Sequence, residues 1–397
     1  MNVFASRYMT LYLGVFGLMA CISPSIGNIF LWLAILTGIY NWRLAIVSNK
    51  KFSAEYCGFY LSFGIFIISI FLSALFSDNI YTSMETLAGG YIRRMLPFFL
   101  VILFINDLAK LRFIILAIVG SIFLADICAV WQGLNGNFRA NGFFGNPMTL
   151  GGFLIMLTPC IMIFLLKKQK ICTNKKVIAL ILFASLLALF FNGTRGSWVA
   201  IAIMIPGLLC FILNSWKKIV ALICLIGLIG IGTFAFVPAF HAKVITITDL
   251  NYQSNSERFL LWRSSYNMFK DHPLFGIGVG QFSKQYSEHY ILPQAKEPSL
   301  PHAHNNFIHM LGETGIVGII GFLVLIGYFL WFGIYHWYKK NNIVGLMLVA
   351  SLVGLLLQGM TEFNFGNAAV MKLFWLLAGC FVQYVLIDNK EKSSELQ

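Results

Sequence analysis

Apolar runs of roughly 20 residues recur from one end of this 397-residue chain to the other. A helix needs about 20 predominantly apolar residues to cross the hydrocarbon core of a bilayer. Hydrophobic residues make up 59% of the chain and charged residues only 11%, whereas a soluble domain is about 25% charged. The sequence therefore predicts an all-α polytopic membrane protein and excludes a soluble or disordered chain.

The apolar runs divide the chain into about twelve predicted transmembrane helices and one long loop. Helices one to nine fall within residues 1–238, the long loop covers 239–308, and helices ten to twelve with a polar tail cover 309–397. Loops this long inside compact proteins are usually functional. The predicted spans are 9–25, 28–46, 54–76, 87–105, 112–131, 148–166, 177–192, 197–213, 219–238, 309–333, 343–361 and 368–387.

Short helices are predicted inside the long loop. Residues 255–271 carry aromatic side chains at three- and four-residue steps, and Asn255 or Ser256 is suited to cap such a helix. A second helix is expected to begin near residues 304–306 and to continue into the tenth span. The long loop is thus expected to be partly ordered.

Basic residues cluster in every second short loop, which is the positive-inside pattern of membrane proteins. This pattern places both termini in the cytoplasm and the long loop on the outer side. The net charge of +13 then reflects topology, and a nucleic-acid partner is not expected. The basic groups are Arg43, Lys50 and Lys51; Lys110 and Arg112; Lys167, Lys168, Lys170, Lys175 and Lys176; Lys217 and Lys218; Lys339 and Lys340.

Arginines and histidines also occur in the outward segments, where short loops normally carry few basic residues. Two of the arginines lie in turns rich in glycine and asparagine, and the others lie in the long loop. The candidate site residues are Arg139, Arg195, Arg258, Arg263, His302 and His304, the last of which directly precedes Asn305.

This set of side chains is suited to phosphate chemistry. Guanidinium groups bind phosphate oxygens in a bidentate manner and keep their charge. Two or three of them could hold a pyrophosphate and stabilise it as a leaving group. Nearby positive charge favours the neutral form of a histidine, which can then accept a proton from an attacking hydroxyl. A lipid-linked sugar pyrophosphate is a plausible energy source on a membrane face without ATP, and no cofactor is predicted.

Other interpretations of these residues remain open. Arg139 and Arg195 could extend to lipid headgroup phosphates without forming a site. Arg258 and Arg263 are five positions apart, about 140° around a helix, so they are not expected to serve one site. The histidines near residue 304 could suggest zinc, but no cysteine or acidic cluster adjoins them in sequence, so no metal site is predicted.

A second group of ionisable residues lies within or at the outer ends of the predicted spans. Such residues are functional candidates by default, although paired structural charges are an equal possibility. The group consists of Arg93, Arg94, Asp126, Glu313, Glu362 and Lys372.

At these residues the chain resembles the O-antigen ligase and O-antigen polymerase superfamily of bacterial envelope glycosyltransferases. The resemblance lies in an ordered series of segments within residues 137–320. The segments are FRANGFFGNPMTLGGF, FNGTRGSWVA, SERFLLWRSSYNMFKDHPLFGIGVGQF and HAHNNFIHMLGETGIVG.

The resemblance implies a GT-C-like membrane fold and a metal-independent, inverting transfer at the periplasmic face of the bacterial inner membrane. The implied donor is a glycan linked to undecaprenyl pyrophosphate, and the implied acceptor of a ligase is lipid A–core. The expected partners are these two substrates and the surrounding membrane lipids. By position, Arg195 and Arg258 would contact the pyrophosphate and His304 would be the general base. Arg139, Arg263, His302 and Asn305 are the further substrate-binding candidates.

Three functions are compatible with these features. A ligase joining the glycan to lipid A–core is the leading hypothesis, and a polymerase that extends another lipid-linked repeat is the second. A transporter or flippase of lipid-linked sugars comes from a different class. It would require polar residues deep in several spans, whereas here they concentrate outside the membrane, which favours an enzyme.

Overall fold

The computed structural model describes residues 3–41, 54–167, 171, 174–213 and 215–395. Over these residues the chain consists of helices joined by loops and contains no strand. The long helices up to residue 236 are α1 (Val3–Met19), α2 (Pro24–Tyr40), α3 (Ala54–Leu75), α4 (Ile80–Phe104), α5 (Leu108–Leu134), α6 (Pro147–Leu166), α7 (Lys175–Asn192), α8 (Arg195–Ile212) and α9 (Trp216–Phe236). The remaining helices are α10 (Pro238–Ile245), α11 (Gln253–Asp271), α12 (Phe282–Gln285), α13 (Asn306–Lys340), α14 (Ile343–Gln358) and α15 (Ala368–Glu395).

The helices confirm an all-α polytopic membrane protein. In the described part of the chain, nine helices are long and apolar enough to cross a membrane, and α1, α2 and α14 are shorter, with 17, 17 and 16 residues. Each of the twelve predicted spans overlaps one of these twelve helices. The first two spans were predicted about five residues too late, because Pro24 begins α2 and the preceding turn interrupts the apolar run.

Some of the basic residues used for the topology prediction lie outside the described residues. These are Arg43, Lys50, Lys51, Lys168 and Lys170.

Aromatic side chains fill the space between the central helices. The buried Phe59 on α3 packs edge-on against Phe329 of α13, with ring centroids 5.0 Å apart. Phe98 of α4 lies 5.6 Å from Phe59 and 6.2 Å from Trp375 of α15. These rings therefore join α3, α4, α13 and α15 into one core, since edge-to-face aromatic pairs add to the energy of simple burial.

Short connections make neighbouring helices antiparallel and bring several loops to one face of the molecule. We call this the site face; it carries residues 135–146, 193–194, 237–305 and 359–367. The helices α6, α8, α13 and α15 all begin at this face. In contrast, α9 has no buried residue and lies at the periphery of the bundle.

The long loop is ordered by four helical segments: α10, α11, α12 and the short π-helix Tyr286–Tyr290 that follows α12 directly. Helix α11 begins at Gln253 rather than at the predicted cap, so the capping prediction was wrong. The Asn255 side chain instead donates hydrogen bonds to the carbonyls of Thr246 and Asp249, at 2.9 and 2.7 Å. Asn255 therefore fixes the α10–α11 connection from inside the first turn of α11.

Helix α13 begins at Asn306, as predicted, and is capped by Asn305. It bends at Gly315, whose φ of 60° is in the left-handed region that favours glycine. A Cβ at this position would overlap the backbone of Leu274 and Gly276. The bend therefore lets the glycine-rich turn 276–280 pack directly against the helix, which is a structural role for that turn.

Candidate functional site: a cationic pocket beside a histidine–glutamate cluster

The turn between α7 and α8 places Arg195 at the first residue of a helix. Gly193 has a φ of 59°, and a Cβ there would collide with the Lys243 ammonium and the Phe138 carbonyl. Thr194 is the N-cap residue of α8. The free N–H groups and the dipole of a helix N-terminus favour anions, so the backbone supports the charge of Arg195 in attracting one.

The side chain of Asn192 joins this turn to the preceding loop of the site face. Its amide donates hydrogen bonds to the carbonyls of Ala140 and Pro147, both at 2.8 Å. The Ala140 N–H donates in turn to the Phe191 carbonyl at 3.1 Å. Arg139, which precedes Ala140, is thereby held beside the Arg195 turn.

Four basic side chains line one pocket on the site face. They are Arg139, Arg195, Lys243 and Arg258. They come from four separate elements: the 135–146 loop, α8, α10 and α11. The pocket also includes Glu362 at its edge. Folding therefore brings together three of the four predicted arginines and adds a lysine that sequence reasoning did not identify.

The guanidinium of Arg195 is held by α10 and by the start of α11. One terminal nitrogen donates to the Thr246 carbonyl at 2.8 Å and to its hydroxyl at 3.2 Å. The guanidinium carbon lies 4.8 Å from the centre of the Tyr252 ring, a cation–π contact. A side chain that only extended to lipid headgroups would not need these partners, so the geometry favours a positioned arginine.

The cations of the pocket act on one another. Burial lowers the pKa of Lys243 to about 8, with further contributions from Arg139 and Arg195. Burial also lowers the pKa of Arg258, aided by Arg195 and opposed by Glu362. Concentrated positive charge of this kind is relieved when an anion binds.

A histidine–glutamate cluster adjoins the pocket. The Nδ1 atom of His304 lies 3.1 Å from Oε2 of Glu362, and Nε2 of His302 lies 3.7 Å from Oε1. When Nδ1–H of His304 donates to the carboxylate, its Nε2 atom is left to accept a proton. The backbone of His304 has a φ of 48°, uncommon for a residue with a side chain and often found at functional sites.

The titration of this cluster follows from burial and from its internal contacts. Burial lowers the pKa of His302 to about 4, and the neighbouring His304 and His309 act in the same direction. Burial alone would raise the pKa of Glu362. The hydrogen bond from His304, with the charges of His304, His302 and Arg258, nevertheless holds that pKa below its usual range. Glu362 is therefore a carboxylate at neutral pH.

The same cluster has donor atoms suited to a metal ion. One ligand atom from each of His302, His304 and Glu362 lies within 4.8 Å of the others. Two imidazoles and a carboxylate are ligands that zinc accepts. The third histidine of the segment, His309, is instead paired with Glu313 at 3.3 Å in the interior. The sequence-based expectation of metal-independent chemistry stays a prediction.

The buried His309–Glu313 pair supports the loop that carries His304. The Ala303 N–H donates to Nδ1 of His309 at 3.4 Å, and Nε2 of His309 faces Glu313. Glu313 also accepts a hydrogen bond from the Phe282 N–H at 3.0 Å. This pair therefore connects α13 to the His304 segment and to the long loop.

Two of the predicted substrate-binding residues have other surroundings. Arg263 is exposed on α11 and does not line the pocket. Asn305 is buried, its side chain accepting from the N–H groups of Phe307 and Ile308 and donating to the Met360 carbonyl. Asn305 thus acts as a helix cap that ties α13 to the 359–367 loop, and the geometry gives no support for substrate contact by either residue.

The fold and the pocket define a class: a multi-pass α-helical membrane protein with a cationic pocket and a histidine–carboxylate pair on one face. Residues 179–323 match a family model described as O-antigen ligase. This match confirms the resemblance to the O-antigen ligase and polymerase superfamily. The matched segment contains Arg195, Arg258 and His304, whereas Arg139 and Glu362 lie outside it. A search of the curated proteins found no match.

Proposed function

We propose that this protein is an O-antigen ligase, a glycosyltransferase of the bacterial inner membrane whose site face is periplasmic. It would move a glycan from undecaprenyl pyrophosphate to lipid A–core. The observation that carries the proposal is the convergence of Arg195, Arg258 and the His304–Glu362 pair on one face of a chain with an O-antigen ligase segment.

The cationic pocket would bind the pyrophosphate of the donor. Arg195 and Arg258 come from different helices and line the same cavity, so each guanidinium can approach a different phosphate. Lys243 and Arg139 line the same pocket and add positive charge to it. Because negative charge grows on the pyrophosphate as the glycosidic bond breaks, these cations stabilise the transition state more than the bound donor.

An apolar groove beside the pocket suits the lipid part of the donor. Arg195 and Arg258 also line this groove, which continues along Val199 and Ile203 of α8. Its opposite wall includes Leu357 and Met360, along with other apolar side chains. A polyprenyl chain lying in this groove would place its diphosphate at the two arginines.

His304 would act as the general base. The acceptor hydroxyl oxygen attacks the anomeric carbon, the bond from that carbon to the pyrophosphate oxygen breaks, and undecaprenyl pyrophosphate leaves. The hydroxyl proton passes to Nε2 of His304, while Glu362 accepts from Nδ1–H and stabilises the imidazolium. A single displacement of this kind inverts the anomeric configuration.

Deletion of the gene distinguishes the proposal from its alternatives on a lipopolysaccharide gel. Loss of a ligase leaves bare core while long glycan accumulates on the carrier lipid. Loss of a polymerase leaves core capped by a single repeat, and loss of a flippase traps repeats on the cytoplasmic side. Either of the last two patterns would contradict the proposal.

A further inference from the structure

We propose a second anion site, formed by Arg93, Arg94 and Lys372 beside the 359–367 loop of the site face, that binds phosphate groups on the sugar headgroup of the acceptor glycolipid. This inference rests on the proposed function, because it assigns to the acceptor a site separate from the donor pocket. None of the three residues lines the cationic pocket described above.

Hydrogen bonds to neighbouring elements hold two of the three cations, Arg94 and Lys372, and Arg93 is exposed on α4 beside them. A terminal nitrogen of Arg94 donates to the carbonyls of Phe365 and Gly366, at 3.1 and 2.7 Å. The ammonium of Lys372 donates to Oδ1 of Asn28 at 2.6 Å. Helices α2, α4 and α15 therefore meet at this cluster, beside the 359–367 loop.

The cluster lacks acidic partners. Among the described residues, no ion pair joins Arg93, Arg94 or Lys372 to a carboxylate. The charged groups that act on Lys372 are the two arginines themselves. The Nε atom of Arg94 is buried and has no hydrogen-bond partner. Three neighbouring cations are costly to hold together near a membrane unless an anion neutralises them.

The position of the cluster relates it to the reaction site. The 359–367 loop carries Glu362, which contacts His304, and three residues later Phe365, whose carbonyl is held by Arg94. Lys372 lies in the second turn of α15, directly after the same loop. A lipid bound at the cluster would therefore extend its sugars across the site face toward the general base.

The chemistry of the cluster selects phosphate. Two guanidinium groups and an ammonium bind phosphate oxygens through charge-assisted hydrogen bonds, with two donors from each guanidinium. The donor pyrophosphate is already provided for by Arg195 and Arg258, so a second phosphate site fits the other substrate. The acceptor lies in the same leaflet, and phosphate groups on its sugars would hold it at a fixed depth.

The test uses the full chain in nanodiscs and the double variant Arg93→Gln/Lys372→Gln. Arg94 is left unchanged because it also holds the 359–367 loop. The matched control, Lys270→Gln/Lys284→Gln, removes two exposed charges from the long loop on the same face. Binding is measured for purified lipid A–core, for the same glycolipid after phosphatase treatment, and for the lipid-linked donor.

The proposal predicts that the double variant binds lipid A–core at least fivefold more weakly, whereas the control variant and donor binding are unchanged. Dephosphorylated lipid A–core should bind wild type and variant alike. Equal loss for both forms of the acceptor, or wild-type affinity in the variant, would overturn the proposal. Equal competition by phosphatidylglycerol would also overturn it, because it would indicate a general headgroup site.

These binding measurements do not depend on glycan transfer. If the proposed function were wrong, wild-type protein would bind both lipids without joining them, and that result is distinguishable from the outcomes above.

Discussion

The geometry of individual side chains decides what the site face can do. Arg195 is held between Thr246 and Tyr252, so its planar fork points in a set direction. A lysine would keep the charge but could not make a bidentate contact with phosphate. Replacing Arg195 with lysine therefore separates the effect of bidentate phosphate binding from the effect of positive charge.

Arg195→Lys is expected to lower kcat/KM for transfer by about 10- to 100-fold, corresponding to the loss of a charge-assisted hydrogen bond. Steady-state assays with lipid-linked donor measure this. Arg263→Lys is the matched control, since Arg263 is exposed and outside the pocket. Near-normal activity of Arg195→Lys would indicate that this side chain only provides charge at the membrane surface.

Replacement of His304 separates catalysis from folding. Because glycine adopts the φ of 48° without strain, His304→Gly should gain backbone stability that offsets part of the loss of the hydrogen bond to Glu362, and the protein should remain folded. Transfer should fall by about 10²- to 10⁴-fold, the usual contribution of a general base, while donor affinity is retained. His289→Ala, on an exposed histidine, is the control. Wild-type transfer in His304→Gly would remove the assignment of the base.

The pKa of Lys243, which burial and the neighbouring arginines lower to about 8, predicts a pH dependence of donor binding. The ammonium is charged below that pKa and loses its charge as pH rises above it, whereas the esterified diphosphate stays fully ionised. Donor affinity should therefore fall by up to about tenfold between pH 7 and pH 9. Binding titrations with Lys243→Gln should be weaker at pH 7 and nearly flat with pH. A steep fall in that variant would assign the titration to another group.

At the scale of elements, the turn between α7 and α8 is the most constrained part of the site. Gly193 adopts a left-handed conformation directly beside Lys243 and the Phe138 carbonyl. Substitution of Gly193 therefore tests directly whether the backbone geometry of this turn positions the arginines of the pocket.

Gly193→Ala should disrupt the pocket, because the left-handed conformation costs an alanine about 1–2 kcal/mol and its Cβ collides with two neighbours. We expect donor binding to weaken at least tenfold, with a lower melting temperature. Gly207→Ala in α8 is the control, since a Cβ there meets no atom within 4 Å. Equal tolerance of both substitutions would contradict the role given to the turn.

The sequence predicted elements better than the contacts between them. Apolar runs located the helices, and the start of α13 was predicted near residues 304–306, because such signals are local along the chain. Glu362 is 58 residues from His304, and their contact depends on the packing of α13 against α14 and the following loop. Lys243 was missed for the same reason, since no local pattern links α10 to the α7–α8 turn.

At the scale of the whole molecule, two cationic clusters adjoin the 359–367 loop that carries Glu362: the cationic pocket, and the cluster of Arg93, Arg94 and Lys372. The match to the O-antigen ligase family model covers Arg195, Lys243, Arg258 and His304 but not Arg139, Glu362, Arg93, Arg94 or Lys372. The proposed division into a donor pocket and an acceptor site therefore depends on how the first four and last two helices pack around the matched segment.

The most direct test of the account reconstitutes the purified protein in liposomes with undecaprenyl-pyrophosphate-linked glycan and lipid A–core, without ATP or added metal. The account predicts that wild-type protein joins glycan to core and releases undecaprenyl pyrophosphate in equal amount. It also predicts that His304→Gly brings product formation close to background and that Arg195→Lys lowers it by about 10- to 100-fold. Donor that is bound or moved across the bilayer without any joined product would contradict it.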